Sequence, residues 1–133
     1  MLGLGAMKIS KRLTAALAIS LLLLHGPAVH ANDTYGPVHR GESLWTIARQ
    51  VHPDQGVTRT QVMLGLLRAN PQAFAAPCNA SSTLHTGVQL RVPPLSEIRA
   101  IGPAEANQEF QDQVREWKEH LRTGRPLVCP AVS

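Results

Sequence analysis

Apolar residues along this chain follow several distinct patterns, and each predicts a different element. Positions 13–24 form a near-continuous apolar run. Lys8, Lys11 and Arg12 precede it, and a Gly26-Pro27 break leads to Val29-His30-Ala31. Charged, apolar and small residues in that order predict a secretory signal peptide over residues 1–31, with a core too short for a comfortable bilayer span. A short alternating stretch at 35–39 predicts a strand, and Arg40-Gly41-Glu42 a turn. Leu44, Ile47, Ala48 and Val51 then recur at helical spacing behind Ser43, whose hydroxyl suits an N-cap. His52-Pro53-Asp54-Gln55-Gly56 ends that helix.

A second helix is announced by Thr58 and Gln61 as a capping box, with Val57 and Val62 placed as a hydrophobic staple. Val62, Met63, Leu66, Leu67 and Ala69 form its expected buried face, and Asn70-Pro71 stops it. After a loop at 72–83 holding Phe74 and Cys78, residues 89–92 alternate as a strand closed by Pro93-Pro94. Residues 95–102 are expected to be a linker. Gly102-Pro103 then opens a helix over 103–123, whose stripe of Phe110, Val114, Trp117 and Leu121 falls at spacings of four, three and four. Two readings of this helix stay open: it folds back onto the preceding domain, or its stripe docks a partner. Residues 124–133 form an irregular tail with Cys129.

Removing the leader changes the charge. Three of the thirteen Lys and Arg lie in it and none of the nine Asp and Glu, so the remainder is nearly balanced at ten basic to nine acidic. No dense basic patch for nucleic acid remains. About one hundred residues suffice for one small domain, which gains from a covalent staple. In an exported chain the natural reading of Cys78 and Cys129 is a disulfide, with free or intermolecular thiols as the alternative.

Candidate chemistry is sparse. A glycosidase needs two carboxylates held across the scissile bond, and Glu42 and Asp54 qualify only by residue type. His39, His52, His85 and Cys78 follow neither a metal-ligand spacing nor a nucleophile–base signature. No catalytic residue, metal or cofactor is expected, and an enzyme is disfavoured.

The stretch Tyr35-Gly36-Pro37-Val38-His39-Arg40-Gly41-Glu42-Ser43-Leu44-Trp45-Thr46-Ile47-Ala48 resembles the opening of a LysM module, which typically reads Y-x-V-x-x-G-D-T-L-x-x-I-A. The closing half is similar too, with Asn70-Pro71 and then Leu84, Gly87, Leu90, Val92 and Pro93 at the family's spacing. A narrower resemblance is to the N-terminal periplasmic region of the FimV/HubP/TspA family. It rests on Gly36-Pro37-Val38, Arg40-Gly41-Glu42-Ser43-Leu44-Trp45 and Leu67-Arg68-Ala69-Asn70-Pro71-Gln72-Ala73-Phe74. Ile98-Arg99-Ala100-Ile101-Gly102-Pro103-Ala104-Glu105-Ala106 and Gln113-Val114-Arg115 extend it. Glu42 stands where LysM modules have Asp, and the Cys78 loop lacks the FimV-type N-x-N-x-L pattern.

The resemblance implies an α+β fold, a LysM-like βααβ unit over residues 35–94 with two helices on one face of a two-stranded antiparallel sheet, plus the C-terminal amphipathic helix. It implies binding of N-acetylglucosamine glycan, hence peptidoglycan, in a shallow groove. The implied walls are Gly41, Glu42, Ser43 and Leu44 on one side and Asn70, Pro71 and Gln72 on the other, with Trp45 a candidate for stacking. Gly41 and Ser43 are also explained by the turn and the cap alone, and Asn70 by ending its helix. A periplasmic location and an accessory role in type IV pilus or secretion-system assembly are the expected setting, with a membrane involved only if the leader is retained. The alternative is a LysM-fold module that binds a pilus or secretion protein instead of glycan. The family's long acidic cytoplasmic part has no counterpart in this sequence, so polar-landmark roles that depend on it are not expected.

Overall fold

The computed structural model describes Gly3, residues 34–53 and residues 55–130. The expected leader (Gly3 apart), residues 32–33, Asp54 and residues 131–133 lie outside the described residues. In chain order the elements are β1 (Thr34–Tyr35), α1 (Leu44–Val51), α2 (Arg59–Ala69), a 3₁₀ turn (Pro71–Ala73), β2 (Leu90–Arg91), α3 (Leu95–Arg99) and α4 (Pro103–Thr123). The class is α+β. β1 and β2 pair antiparallel, Thr34 opposite Arg91 and Tyr35 opposite Leu90.

The first strand is shorter than residues 35–39. Pro37 has no amide hydrogen to give to a ladder, and Gly36 takes a φ of +136°. A Cβ at Gly36 would lie 2.8 Å from the Val88 carbonyl oxygen, so the two chains approach there only because the residue is glycine. Pairing resumes beyond the interruption: the Val38 amide donates to the Val88 oxygen (2.9 Å) and the Gly87 amide to the Val38 oxygen (2.7 Å).

Local signals set the helix starts. Ser43 caps α1, its side chain accepting from the Thr46 amide while the Thr46 hydroxyl takes the Ser43 amide, a full capping box. Thr58 and Gln61 form the box that opens α2, and Val57 packs against the core. Gln61 does more than cap: its Nε2 donates to the Ile101 carbonyl oxygen at 2.6 Å, tying the start of α2 to the turn before α4.

Helix α2 is the centre of the molecule. Residues 61–67 are all buried, not only an amphipathic stripe, because α1, α3, α4 and β2 each pack against it. The expected face of Val62, Met63, Leu66 and Leu67 is inside, Leu64 and Gly65 join it, and Ala69 is only half-buried. Gly65 is where α3 comes closest, since a Cβ there would meet Ile98 Cγ1 at 3.1 Å.

Residues 95–102, expected as a linker, carry helix α3 and part of the core. Ile98 is fully buried and Ile101 nearly so, and burying one such side chain stabilises by about 1.5–3 kcal/mol. The segment was too short for its period to be read, and a helix of five residues persists only when packed. α4 has the bounds expected for it and folds back onto α2, with Ala106 buried at the contact. Its stripe is covered only in part. Phe110 packs against the core, Val114 and Trp117 are half-buried, and Leu121 is 66% exposed.

Cys78 and Cys129 are joined in a disulfide with their Cα atoms 5.4 Å apart. It ties the loop between the 3₁₀ turn and β2 to the tail beyond α4.

Candidate functional site

The turn before α1 builds one side of a groove. Gly41 adopts a φ of +88°, the left-handed conformation that favours glycine. Glu42 then turns its carboxylate back on the preceding chain, where Oε2 accepts from the His39 amide at 2.7 Å and Oε1 from the Tyr35 hydroxyl at 2.6 Å. The His39 amide, followed by the Tyr35 hydroxyl, holds the Glu42 carboxyl below the usual carboxylate range. Its hydrogen bond to Glu42 in turn raises the Tyr35 phenol above its ordinary value. Glu42 is thus an acid used to brace the turn.

The groove itself has a volume of about 510 Å³, within the range of about 300–1,000 Å³ common for small-molecule sites. Gly41, Glu42, Ser43, Leu44 and Trp45 are among its lining residues. Leu44 is only 5% exposed, so it serves the core as well as the groove. The second wall comes from further along the same loop between α2 and β2. It is made by Ala80, Ser81, Ser82, Thr83, Leu84 and Thr86, with His39, Met63 and Phe110 completing the lining.

Asn70, Pro71 and Gln72 are not among the lining residues. Asn70 is buried and its amide joins α2 to β2: Nδ2 donates to the Leu66 and Arg91 carbonyl oxygens, and Oδ1 accepts from the Arg91 amide at 2.7 Å. A side chain this fully partnered inside the protein serves the fold. Pro71 begins the 3₁₀ turn, and Gln72 is exposed beside it.

The loop that replaces them is well braced. An isolated bridge pairs Phe74 with Leu84, and the Ala75 amide donates to the Thr83 oxygen at 2.8 Å. The buried Asn79 donates through Nδ2 to the Gln113 carbonyl oxygen of α4 (2.8 Å), and the Ala80 amide donates to Gln113 Oε1 (2.8 Å). The hydroxyl run Ser81-Ser82-Thr83 beside a stapled Cys78 was the sequence signal available for this wall.

Chemically the groove is rich in hydroxyls and poor in charge. Among the described residues that line it, Glu42 carries the one carboxylate and there is neither lysine nor arginine. Trp45 is half exposed, and the Arg59 guanidinium sits 4.7 Å from its ring centroid, covering one face. Cys78 is spent in the disulfide, and among the described residues no three His, Cys, Asp or Glu side chains gather as metal ligands do.

A second exposed feature lies at the end of α4. Trp117 stacks on His120 with ring centroids 4.9 Å apart, and Leu121 and Val128 (90% exposed) stand in solvent. Among the described residues no helix is long and apolar enough to cross a membrane. The chain matches no family model, no curated protein and no solved structure.

Proposed function

We propose that this chain is an exported envelope protein whose groove binds N-acetylglucosamine glycan of peptidoglycan without chemistry. The observation that carries the reading is the hydroxyl-lined groove between residues 41–45 and 80–86, with one carboxylate among its described lining residues. Ser, Thr and backbone groups can exchange hydrogen bonds with sugar hydroxyls and acetamido groups, while Leu44, Trp45 and Leu84 cover apolar sugar faces. The order β1, α1, α2, β2 agrees with the LysM-like unit that the sequence resembles, and the disulfide suits an oxidising compartment such as the periplasm. A binding role is favoured over hydrolysis because, among the described lining residues, Glu42 alone carries a carboxylate, where a glycosidase needs an acid and a base, and both its oxygens already accept hydrogen bonds. One shallow module binds weakly and reversibly, which suits an accessory to a pilus or secretion machine that crosses the wall.

A second reading has its own observation. Leu121 of α4 and Val128 of the tail are exposed apolar residues that a protein partner in the envelope would cover. Co-sedimentation of the oxidised protein with purified sacculi separates the two. Wild type is expected in the pellet and Trp45→Ala, at an exposed position, in the supernatant with its melting curve little changed. A folded wild type that stays in the supernatant overturns glycan binding and leaves the α4 surface as the functional one.

A further inference from the structure

We infer that Phe110 of α4 is itself a ligand-contacting residue, its ring serving as an apolar platform for one sugar face in the groove. The inference rests on the glycan reading above and extends its site to an element outside the β-α-α-β unit.

Three observations converge on Phe110. The ring lines the same groove as Gly41, Ser43 and Trp45, although its position on the α4 stripe suggested packing or a partner. It is half-buried against the core, which limits its freedom before any ligand arrives. The wall beside it is fixed to α4 itself. Gln113, one turn further along, holds the Ala80 amide and the Asn79 side chain, and Asn79 Oδ1 accepts from the Ser81 amide at 2.8 Å. The disulfide closes the same connection a second time. Helix and wall therefore form one rigid unit.

Sugar chemistry suits this arrangement. A pyranose presents C–H groups on a face and hydroxyls at its rim, and a groove lined by an aromatic ring together with Ser81, Thr83 and Thr86 meets both. Trp45 has one ring face taken by Arg59, so it leaves at most the other for a sugar.

Titration of the oxidised protein with the soluble tetramer of N-acetylglucosamine, by calorimetry or intrinsic fluorescence, tests the assignment. Phe110→Leu keeps the apolar bulk and loses the ring, and is expected to weaken binding by about three- to tenfold, the worth of one aromatic contact. Phe110→Tyr keeps the ring and is expected to bind as wild type does. Both variants should melt close to wild type, so a loss confined to Phe110→Leu cannot come from unfolding. Equal binding by Phe110→Leu and wild type overturns the role of Phe110 and leaves the glycan reading standing. Failure of wild type itself to bind the tetramer and sacculi overturns both.

Discussion

Glu42 shows how one residue can look like a ligand and serve the fold. Its carboxylate holds the turn that shapes the groove by accepting from the His39 amide and the Tyr35 hydroxyl, and the lowered carboxyl pKa follows from those donors. The linkage has a definite sign. A carboxyl depressed in the folded state contributes stability that is present above the ordinary carboxylate range and lost as pH falls through the depressed value. Tyr35 behaves oppositely at the alkaline end, where its contribution is lost as pH rises through the raised phenol value. The melting temperature of wild type should therefore exceed that of Glu42→Gln by a constant margin near neutrality, and the margin should shrink below the usual carboxylate range. A margin unchanged on acidification would separate Glu42 from the turn's stability. His39 contributes mainly through its backbone amide, with its ring nitrogen 3.5 Å from the same carboxylate.

At the scale of the element, the helices divide by what starts them and what covers them. α1 and α2 begin in reciprocal caps that involve only residues three apart, and such caps are readable from a chain without knowing its fold. Thr58→Ala removes the acceptor for the Gln61 amide and should cost about 1 kcal/mol of stability in denaturant titration. An unchanged midpoint would mean that the Gln61–Ile101 hydrogen bond, not the cap, sets the start of α2. α3 carries neither a side-chain cap nor a long period. It is held by Ile98 packing beside Gly65, and a contact across that many residues leaves no trace in local spacing.

At the scale of the whole molecule, α4 and the disulfide make one body from what reads as a domain with an appended helix. Cys78 and Cys129 are 51 residues apart in sequence, and cross-linking a loop of that length contributes about 4 kcal/mol in the chain-entropy model. Replacing both with serine should lower the unfolding free energy by about that amount in denaturant titration. It should also weaken glycan binding, because the wall at 80–86 loses one of its two attachments to the tail and α4. Stability that stayed at the wild-type value would show that the Asn79–Gln113 hydrogen bonds and the α2–α4 packing carry the connection alone. The exposed end of the α4 stripe lies outside this body's core, which is why folding back and leaving an apolar surface both hold for the same helix.

What the amino-acid sequence determined by itself is the set of features whose causes are local. The Ser43 and Thr58 caps, the Gly41 turn and the bounds of α4 all follow from residues within one or two turns of each other. The two cysteines could be read as a pair because only two exist. The tertiary structure alone decided the all-round burial of α2, the service of Asn70 as a latch between α2 and β2, and the makeup of the second wall. The last of these depends on where α4 comes to rest against the loop at 74–84. That placement is set by buried amides and packed side chains contributed from segments about 34 residues apart, and a periodic pattern along the chain carries no record of such pairings.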